Sequence, residues 1–413
     1  MWDAAALRFL FIHQNFPGQF VHILRYLGDQ GGHEIVFISE ANEGQLPGVR
    51  RVVYRPARRP AEQTHPALRE LEAAVYRAEA VARSARTLRD NLGYTPDIII
   101  GHHGWGELLN LVDIYPDAPM LGYFEFFYHA DRNDVGFDPE FPPVPELLPA
   151  VRLKNAVNLQ ALTLPGHGQT PTRFQLDTYP EWARPRISLV AEGVDIDQCK
   201  PDPTAARRRF TLKDVTVAPG EKLVTYVARD LEPYRGFHSF MRALPRVLDA
   251  RPDARVILVG GDGVSYGAPC QGGSWRQALL GELGARLDLS RVHFVGKVAY
   301  PEYQALLRRS DAHVYLTYPF VASWSMREAM ASGCAIVGSR TGPVEEFITD
   351  GETGRLVPFL DPRAIADGIL EVLEDRALAR RIRRQARRFA EDNLRLDQYL
   401  STYEGVIRRV AGA

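Results

Sequence analysis

Cysteine and long apolar runs are both scarce in this sequence, and each absence excludes a class of protein. The three cysteines, Cys199, Cys270 and Cys334, lie far apart and form no CxxC pair, so neither a disulfide framework nor a zinc site is indicated. No apolar run approaches the roughly 20 residues of a membrane span. The N-terminus also lacks the basic and apolar segments of an export signal. We therefore expect a cytoplasmic protein.

An excess of charge of one sign is missing as well. The 413 residues carry 50 Lys and Arg against 51 Asp and Glu, which gives a formal net charge of −1 and argues against a nucleic-acid partner. One stretch departs from this balance, RALARRIRRQARRFAEDNL, which predicts a helix with a dense arginine face. A solvated helix face is the commoner explanation. A peripheral contact with anionic lipid headgroups, at the inner membrane face, is the alternative.

The chain is long enough for two or three domains, and the stretch from Asp311 to Val357 predicts how one of them is built. The apolar runs HVYLTY and CAIVG suit two buried parallel strands, and Gly333 ends the helix between them. Ser325 followed three residues later by Glu328 forms a capping-box pattern, which predicts that this helix begins at Ser325. In such a βαβ unit the helix N-terminus lies at the carboxyl edge of the sheet and favours an anion. A nucleoside diphosphate fits, with its phosphates at the backbone amides and its ribose hydroxyls at Glu328.

The run SWSMREAMASGCAIVGSRTGPVEEFITDGETGRLV resembles the C-terminal signature of family 4 glycosyltransferases of the GT-B fold. The SWS variant and the N-terminal pattern FIHQNFPGQF are similar to a bacterial subgroup linked to polysaccharide assembly. The family usually has two glutamates with seven residues between them; Glu328 matches the second, which holds the donor ribose, while the first falls on Phe320. The resemblance implies that the donor-binding loop comprises Phe320, Ala322, Ser323, Trp324 and Ser325.

The α/β pattern occurs twice, and the resemblance covers essentially the whole chain. It implies two Rossmann-like domains that face a cleft: an acceptor-side domain over 1–200 and a donor domain over 201–384. We expect the last helix, within 385–413, to cross back to the first domain. A proline-rich segment from Asp131 to Pro149 predicts an ordered excursion or a lid over the first domain.

Five positions in the first half are candidates for the site. After the strand LRFLFIH, Gly18 and Gln19 begin a helix, and the resemblance implies that this loop lies against the donor phosphates; a simple turn glycine is the alternative. His102 ends a strand at a position where the family often has a histidine, although a lone histidine at a strand end is more often structural. Glu125 stands where many members carry an acceptor-side histidine and could accept a proton or a sugar hydroxyl, or lie solvated at an edge. His129 is placed on the acceptor side as well.

In the second half, RDLEPYRGF resembles the family loop in which an arginine and a lysine grip the diphosphate. Here these residues are Arg229 and Arg235, and arginine can make bidentate charge-assisted contacts with phosphate. Two solvated arginines at a helix start are the alternative. The resemblance implies further donor contacts, at a glycine-rich turn beside the phosphates and at a strand end beside the nucleobase, from Gly261, Asp262, Lys297 and Val298.

Together these features favour a glycosyltransferase that moves a hexosyl group from a nucleotide sugar, UDP-linked, to a carbohydrate or lipid-linked carbohydrate, and the resemblance implies retention at the anomeric carbon. The catalytic set that we expect is Arg229, Arg235, Glu328 and Glu125. No DxD-like pair lies in a matching loop, so neither a metal nor another cofactor is expected, and protein cations would neutralise the departing diphosphate. Two alternatives remain: a nucleotide-sugar epimerase or hydrolase on the same fold, and a non-catalytic nucleotide-sugar-binding protein.

Overall fold

The structure, a computed structural model, describes residues 6–412 and divides into two compact units. Unit 1 comprises the described residues up to Glu192 together with those from Asp397 onward. Unit 2 comprises Gly193–Leu396. Each unit has its own parallel sheet and its own buried apolar core.

Unit 1 is built on a seven-stranded parallel sheet. Its strands are β1 (Arg8–Ile12), β2 (Glu34–Ser39), β3 (Val49–Val53), β4 (Ile98–His102), β5 (Met120–Tyr123), β6 (His167–Thr170) and β7 (Ile187–Leu189). The strand order is β3-β2-β1-β4-β5-β6-β7. The central strands are continuous apolar runs because helices cover both faces of such a sheet. Those helices are α1 (Val21–Gln30), α2 (Arg69–Leu92), α3 (Leu147–Thr163), α4 (Arg173–Thr178) and, last in the chain, α12 (Leu396–Ala411).

Unit 2 has a six-stranded parallel sheet. After an antiparallel hairpin, β8 (Phe210–Leu212) and β9 (Val215–Val217), its strands are β10 (Lys222–Asp230), β11 (Ala254–Gly261), β12 (Val292–Gly296), β13 (Ala312–Tyr315), β14 (Ile336–Ser339) and β15 (Arg355–Val357). They lie in the order β12-β11-β10-β13-β14-β15. The helices are α5 (Phe237–Ala250), α6 (Trp275–Leu283), α7 (Tyr300–Arg309), α8 (Trp324–Ala331), α9 (Gly342–Glu345), α10 (Pro362–Glu374) and α11 (Arg376–Asn393).

Both sheets follow the doubly wound order, in which the first strand lies beside the fourth and the winding direction reverses. Ligands of such sheets bind at this reversal, outside the carboxyl ends of the strands. In unit 1 the reversal lies between β1 and β4, and in unit 2 between β10 and β13. Strand ends at these edges carry His102 and Arg229, and the loops there carry Gly18 and Phe320, so the topology gathers the candidate residues at two places.

Two glycines allow the chain to turn directly after the first strand of each sheet. Gly18 has a φ of +56° and Gly236 a φ of +72°, which lie in the left-handed region that favours glycine. A Cβ atom on Gly236 would lie 2.4 Å from the Cβ of Leu316, so a side chain does not fit there. The turn at Gly236 therefore lets α5 start close against the sheet.

Some helix boundaries differ from those that the sequence predicts. The helix expected to begin at Ser325 starts at Trp324, with Ser323 at its N-cap and no side-chain capping bond. The segment expected to be an excursion up to Pro149 is irregular only as far as Glu146, since α3 begins at Leu147.

The two last helices belong to different units. Helix α11 lies in unit 2, whereas α12 packs in unit 1 from Asp397 onward. There the Tyr26 hydroxyl donates to Glu404 Oε2 over 2.6 Å, and Gln169 is hydrogen-bonded to Tyr403. The return of the chain to the first unit therefore involves α12 alone.

None of the helices in the described part of the chain combines the length and the apolar character needed to cross a membrane.

Candidate functional site

The carboxyl end of β10 brings charged side chains to the edge of the unit 2 sheet. Arg229 is exposed, and within residues 6–412 its guanidinium has no hydrogen-bond or ion-pair partner. Its neighbour Asp230 is buried; it accepts a hydrogen bond from Ser265 Oγ at 2.6 Å, and Lys297 Nζ lies 3.9 Å from it. A Cβ on Gly261 would lie 2.5 Å from Asp230 Oδ1, so this glycine makes room for the carboxylate. The edge therefore presents two exposed cations, Arg229 and Lys297, beside the buried carboxylate of Asp230.

Arg235 is buried, unlike Arg229, and its guanidinium is held by other parts of unit 2. Its Nη1 atom donates to Thr317 Oγ1 over 2.6 Å and to the Val321 carbonyl over 3.0 Å. The guanidinium carbon also lies 4.8 Å from the centre of the Tyr266 ring. Because Thr317 and Val321 lie in the loop after β13, these two hydrogen bonds fix the shape of that loop.

A buried carboxylate that the sequence reasoning missed holds the glycine-rich loop after β11. Glu232 is fully buried and accepts hydrogen bonds from three successive backbone amides, at 3.2 Å from Ser265, 3.2 Å from Tyr266 and 2.9 Å from Gly267. Its partners lie more than thirty residues further along the chain, so no local pattern reveals this contact. It stabilises the loop that carries Tyr266.

Aromatic rings surround the position where the family has its first glutamate. Phe320 is only 3% exposed, and its ring centre lies 5.5 Å from those of Tyr234 and Tyr266. Tyr234 in turn stacks on Tyr318 at 4.7 Å. This wall is apolar on the Phe320 side and cannot accept a hydrogen bond there.

The loop after β13 leads into the N-terminus of α8 and is held by two polar contacts. The Ser323 amide donates to the Tyr315 hydroxyl over 2.7 Å, and the hydroxyls of Ser323 and Ser325 lie 2.6 Å apart. Ala322 is buried in the core beneath this loop, while Trp324 is the first residue of α8. The loop that the resemblance assigns to the donor is thus an ordered connection at the switch of the sheet.

Glu328 does not form the predicted capping box. Its carboxylate points to α7, where the Tyr300 hydroxyl donates to Oε1 over 2.6 Å and the Tyr303 hydroxyl to Oε2 over 2.9 Å. Burial raises the pKa of Glu328, whereas the two tyrosine bonds act in the opposite direction. The capping-box prediction was wrong because α8 begins one residue earlier and because a contact with α7 competes for the carboxylate.

Other predicted donor contacts of unit 2 have partners in the protein. Asp262 is exposed and pairs with Arg276, whose Nη2 lies 2.5 Å from Oδ2. The Lys297 carbonyl accepts from Lys213 Nζ over 3.0 Å. Val298 is partly buried against the core. Their roles in binding the donor stay predictions.

In unit 1 the loop after β1 folds over a buried histidine. The Asn15 amide donates to His13 Nδ1 over 2.8 Å, and the Gln19 side chain is hydrogen-bonded to the same ring. A Cβ on Gly18 would lie 2.7 Å from His13 Nδ1, so the glycine is needed for this approach. Burial, followed by the neighbouring His102, lowers the pKa of His13 to about 4. The ring is therefore neutral near pH 7.

His102 and Glu125 face each other at the same edge. The Gly104 amide donates to His102 Nδ1 over 3.0 Å, so the proton of the neutral ring lies on Nε2. Nε2 is buried, has no hydrogen-bond partner among the residues that the structure describes, and lies 3.7 Å from Glu125 Oε2. Burial alone would raise the pKa of Glu125, but His102, together with His13 and Lys154, outweighs it, and the pKa is lowered. The gap is too long for a direct hydrogen bond, which leaves both groups able to bind a hydroxyl.

Two further residues of unit 1 complete this description. Both ring nitrogens of His129 have partners in the protein, because Nε2 is 2.8 Å from the Thr178 carbonyl and Nδ1 is 3.2 Å from Arg132. That placement favours a structural role. Glu107, which the sequence reasoning missed, is buried beside Tyr54, whose hydroxyl donates to it over 2.9 Å, and burial raises the pKa of Glu107.

Two family models match the chain. Residues 31–199 match the glycosyl transferase family 4 group, and residues 208–389 match glycosyl transferases group 1. The chain is 29% identical over 192 residues to a D-inositol 3-phosphate glycosyltransferase of Corynebacterium glutamicum, a match that covers 46% of this chain and 44% of that protein. It is also 29% identical over 201 residues to a glycogen synthase of Mycobacterium tuberculosis, a match that covers 49% of this chain and 43% of that protein. The chain thus spans about half the length of the curated relatives it matches.

Solved structures resemble the whole chain. A sucrose-phosphate synthase from Thermosynechococcus elongatus superposes with a TM-score of 0.73 at 18% identity and covers 98% of this chain and 99% of its own. Anabaena Alr3699/HepE, solved in complex with UDP-glucose, superposes with a TM-score of 0.69 at 17% identity. That match covers 98% of this chain and 100% of its own. These likenesses define the fold as GT-B, and the predicted fold class is confirmed. With both family models matched, the chain belongs to the family 4 glycosyltransferases.

Proposed function

We propose that this protein transfers a hexosyl group from a UDP-linked sugar to a carbohydrate or lipid-linked carbohydrate hydroxyl, with retention at the anomeric carbon, in the assembly of a polysaccharide. The observation that carries the proposal is the edge of the unit 2 sheet, where Arg229 lies at the end of β10 and Arg235 in the turn that follows. Together with the N-terminus of α8, these residues suit a diphosphate. Glu328 lies further along α8, and its carboxylate can accept hydrogen bonds from the ribose hydroxyls. The UDP-glucose in the HepE structure supports the same class of donor.

The chemistry that we propose needs no metal ion. The bond between the anomeric carbon and the terminal phosphate oxygen breaks while the acceptor oxygen binds that carbon on the same face. The proton of the acceptor hydroxyl passes to the departing phosphate. Arg229 and Arg235 neutralise the charge that develops on the diphosphate, which is the kind of electrostatic stabilisation that dominates many transferases.

On the acceptor side we propose that His102 and Glu125 bind a second hydroxyl of the acceptor, since the proton of the reacting hydroxyl passes to the phosphate. The 3.7 Å gap between Nε2 and Oε2 leaves an N–H donor and a carboxylate acceptor for one hydroxyl group. A hydroxyl is both donor and acceptor, so it can satisfy both groups at once.

The experiment that tests the proposal is a release assay with a panel of nucleotide sugars. A transferase releases UDP only when an acceptor is present, and it does so in excess EDTA. An epimerase changes the sugar without any acceptor, and a binding protein releases nothing. Loss of activity in EDTA that a divalent cation restores would contradict the metal-free chemistry. The donor can first be chosen by thermal shift, because a ligand at 100 times its Kd stabilises the protein by about 2.7 kcal/mol.

A second surface, formed by arginines of α11, concerns the place where the protein binds its acceptor. Of the arginines on α11, three donate to backbone carbonyls, namely Arg381, Arg383 and Arg387. Four others are exposed and recur every four residues along one ridge: Arg376, Arg380, Arg384 and Arg388. We propose that this arginine ridge lies against an anionic membrane surface, where a lipid-linked acceptor would be presented.

A further inference from the structure

Two tyrosines of α7 bind the Glu328 carboxylate, one at each oxygen. Tyr300 is the first residue of α7 and Tyr303 lies one turn later, so their hydroxyls lie on the same face of the helix. The two hydrogen bonds, of 2.6 Å and 2.9 Å, come from a helix that precedes Glu328 by about 25 residues. Neither tyrosine belongs to the pattern through which the sequence suggested a role for Glu328.

The geometry leaves acceptor capacity on both carboxylate oxygens. A carboxylate offers about four lone-pair sites, two on each oxygen. The tyrosines use one site on each oxygen, which fixes the plane of the group and leaves one site on each. A pair of neighbouring hydroxyls, as on a ribose ring, needs two acceptors side by side.

We propose that Tyr300 and Tyr303 are positioning residues that orient the Glu328 carboxylate so that its two remaining sites receive the 2′- and 3′-hydroxyls of the donor ribose. The proposal rests on the proposed function, since it takes the ligand to be a nucleotide. The tyrosines act through Glu328 and need not touch the ligand.

The surroundings of the two hydroxyls differ. Tyr303 is 8% exposed, whereas Tyr300 is 43% exposed, so Tyr303 anchors the carboxylate from inside the protein. The Tyr300 hydroxyl also lies 3.7 Å from Cys199 Sγ, in the segment that opens unit 2, and Cys199 in turn lies 3.7 Å from Gln304 Nε2. The titratable groups that face Glu328 are therefore Tyr300 and Tyr303 on α7, with Cys199 behind Tyr300.

The tyrosine hydrogen bonds also favour the ionised form of the carboxylate. Burial raises the pKa of Glu328, and each tyrosine bond lowers it. Removing one hydroxyl therefore raises the pKa further. We take the ribose to bind the ionised carboxylate, so UDP affinity is present above the pKa of Glu328 and is lost as the pH falls through it. A variant without one tyrosine hydroxyl therefore loses UDP affinity at a higher pH than the wild type.

The test compares UDP with 2′-deoxy-UDP on the full chain by titration calorimetry, from about pH 5 to about pH 8. We expect the wild type to prefer UDP. Tyr303→Phe and Tyr300→Phe should each reduce that preference about threefold or more and move the acid midpoint of UDP binding upward. Inorganic pyrophosphate, which has no ribose, should bind all three proteins alike.

Tyr26→Phe is a matched control. Tyr26 also donates to a carboxylate over 2.6 Å, that of Glu404 in unit 1, so its loss costs the same kind of bond elsewhere. It should leave the UDP preference and the midpoint unchanged. An unchanged preference and midpoint in both α7 variants would overturn the positioning role, even though UDP still binds. A wild type that binds pyrophosphate but does not distinguish UDP from its deoxy analogue would overturn it too, whereas a wild type that binds no UDP at all would overturn the proposed function itself.

Discussion

The two sheet edges share one topology and differ in chemistry. In unit 1 the loop after the first strand covers His13, and the neighbouring strand ends at His102, so the edge carries two imidazole rings and the Glu125 carboxylate. In unit 2 the equivalent loop carries Arg229 and Arg235, whose charge does not depend on pH. The fold therefore decides where a ligand binds, while the side chains after the first strand decide whether the site suits a hydroxyl or a phosphate.

The largest effect that we expect separates the two arginines of unit 2. Arg235→Ala removes two charge-assisted hydrogen bonds to the loop after β13, each worth about 1.5–3 kcal/mol. It should lower the free energy of unfolding by about 3 kcal/mol or more and abolish UDP binding. Urea unfolding and calorimetry measure the two quantities.

Arg229→Ala should instead leave stability within about 0.5 kcal/mol of wild type, as is usual for exposed positions. UDP should bind about tenfold more weakly, while uridine binds as before, because only a phosphate would use the guanidinium. The exposed Arg25 of unit 1 provides a control, since Arg25→Ala should change neither value. Equal losses of UDP and uridine affinity in Arg229→Ala would remove Arg229 from the phosphate site.

The second prediction concerns acid and the histidines of unit 1. Burial lowers the pKa of His13 to about 4 and that of His103 to about 3, well below the value of about 6.5 in an unfolded chain. Between these values the unfolded state binds more protons, so stability is lost as the pH falls below about 6.5, by up to about 1.4 kcal/mol per pH unit for each histidine. His103→Asn should therefore show a shallower loss of stability between about pH 6.5 and pH 5.

Urea unfolding at a series of pH values measures this slope. His65→Asn, at an exposed position of unit 1, should keep the slope of the wild type. If the His103 variant kept the wild-type slope as well, the buried imidazole would not be the group that limits acid stability.

The third prediction concerns Glu328 and sharpens the assignment of the ribose to unit 2. Glu328→Gln keeps the shape of the side chain but replaces one acceptor oxygen with a donor. UDP and uridine should both bind about tenfold more weakly, a loss of about 1.4 kcal/mol, and pyrophosphate should bind unchanged. Glu352→Gln, at an exposed position of the same unit, serves as the control. Unaltered uridine binding would mean that Glu328 only supports the packing of α7 against α8.

The smallest effect concerns the arginine ridge of α11. Each arginine near an anionic bilayer contributes about 1 kcal/mol, so Arg384→Gln should weaken cosedimentation with phosphatidylglycerol vesicles about fivefold. Arg83→Gln, on an exposed face of unit 1, should have no such effect. Binding that is equally strong to neutral phosphatidylcholine vesicles would exclude an electrostatic contact through the ridge.

Much of the fold could be predicted from the sequence because its strands are buried on both faces. Such strands are short apolar runs, as in β4 and β13, and the glycines after them mark the turns. The order of these signals predicts a repeated α/β pattern, and the structure has two parallel sheets of the same order.

The site was harder to predict because its contacts join distant parts of the chain. The tyrosines that bind Glu328 and the amides that bind Glu232 lie about 25 to 35 residues away, so no spacing rule connects them. The capping-box prediction used only neighbours within one turn, and it therefore assigned the Glu328 carboxylate to the wrong partner. The apolar run before His13 predicted a strand, but not that Gly18 would close over the ring.

The position of α12 has a consequence for biosynthesis. Unit 1 includes this helix, although about two hundred residues of unit 2 precede it in the chain. At roughly 5–20 residues per second, a ribosome needs some 10–40 s to add them. During that time Tyr26 and Gln169 cannot yet form their hydrogen bonds with Glu404 and Tyr403. The first unit to be translated is therefore the last to be completed.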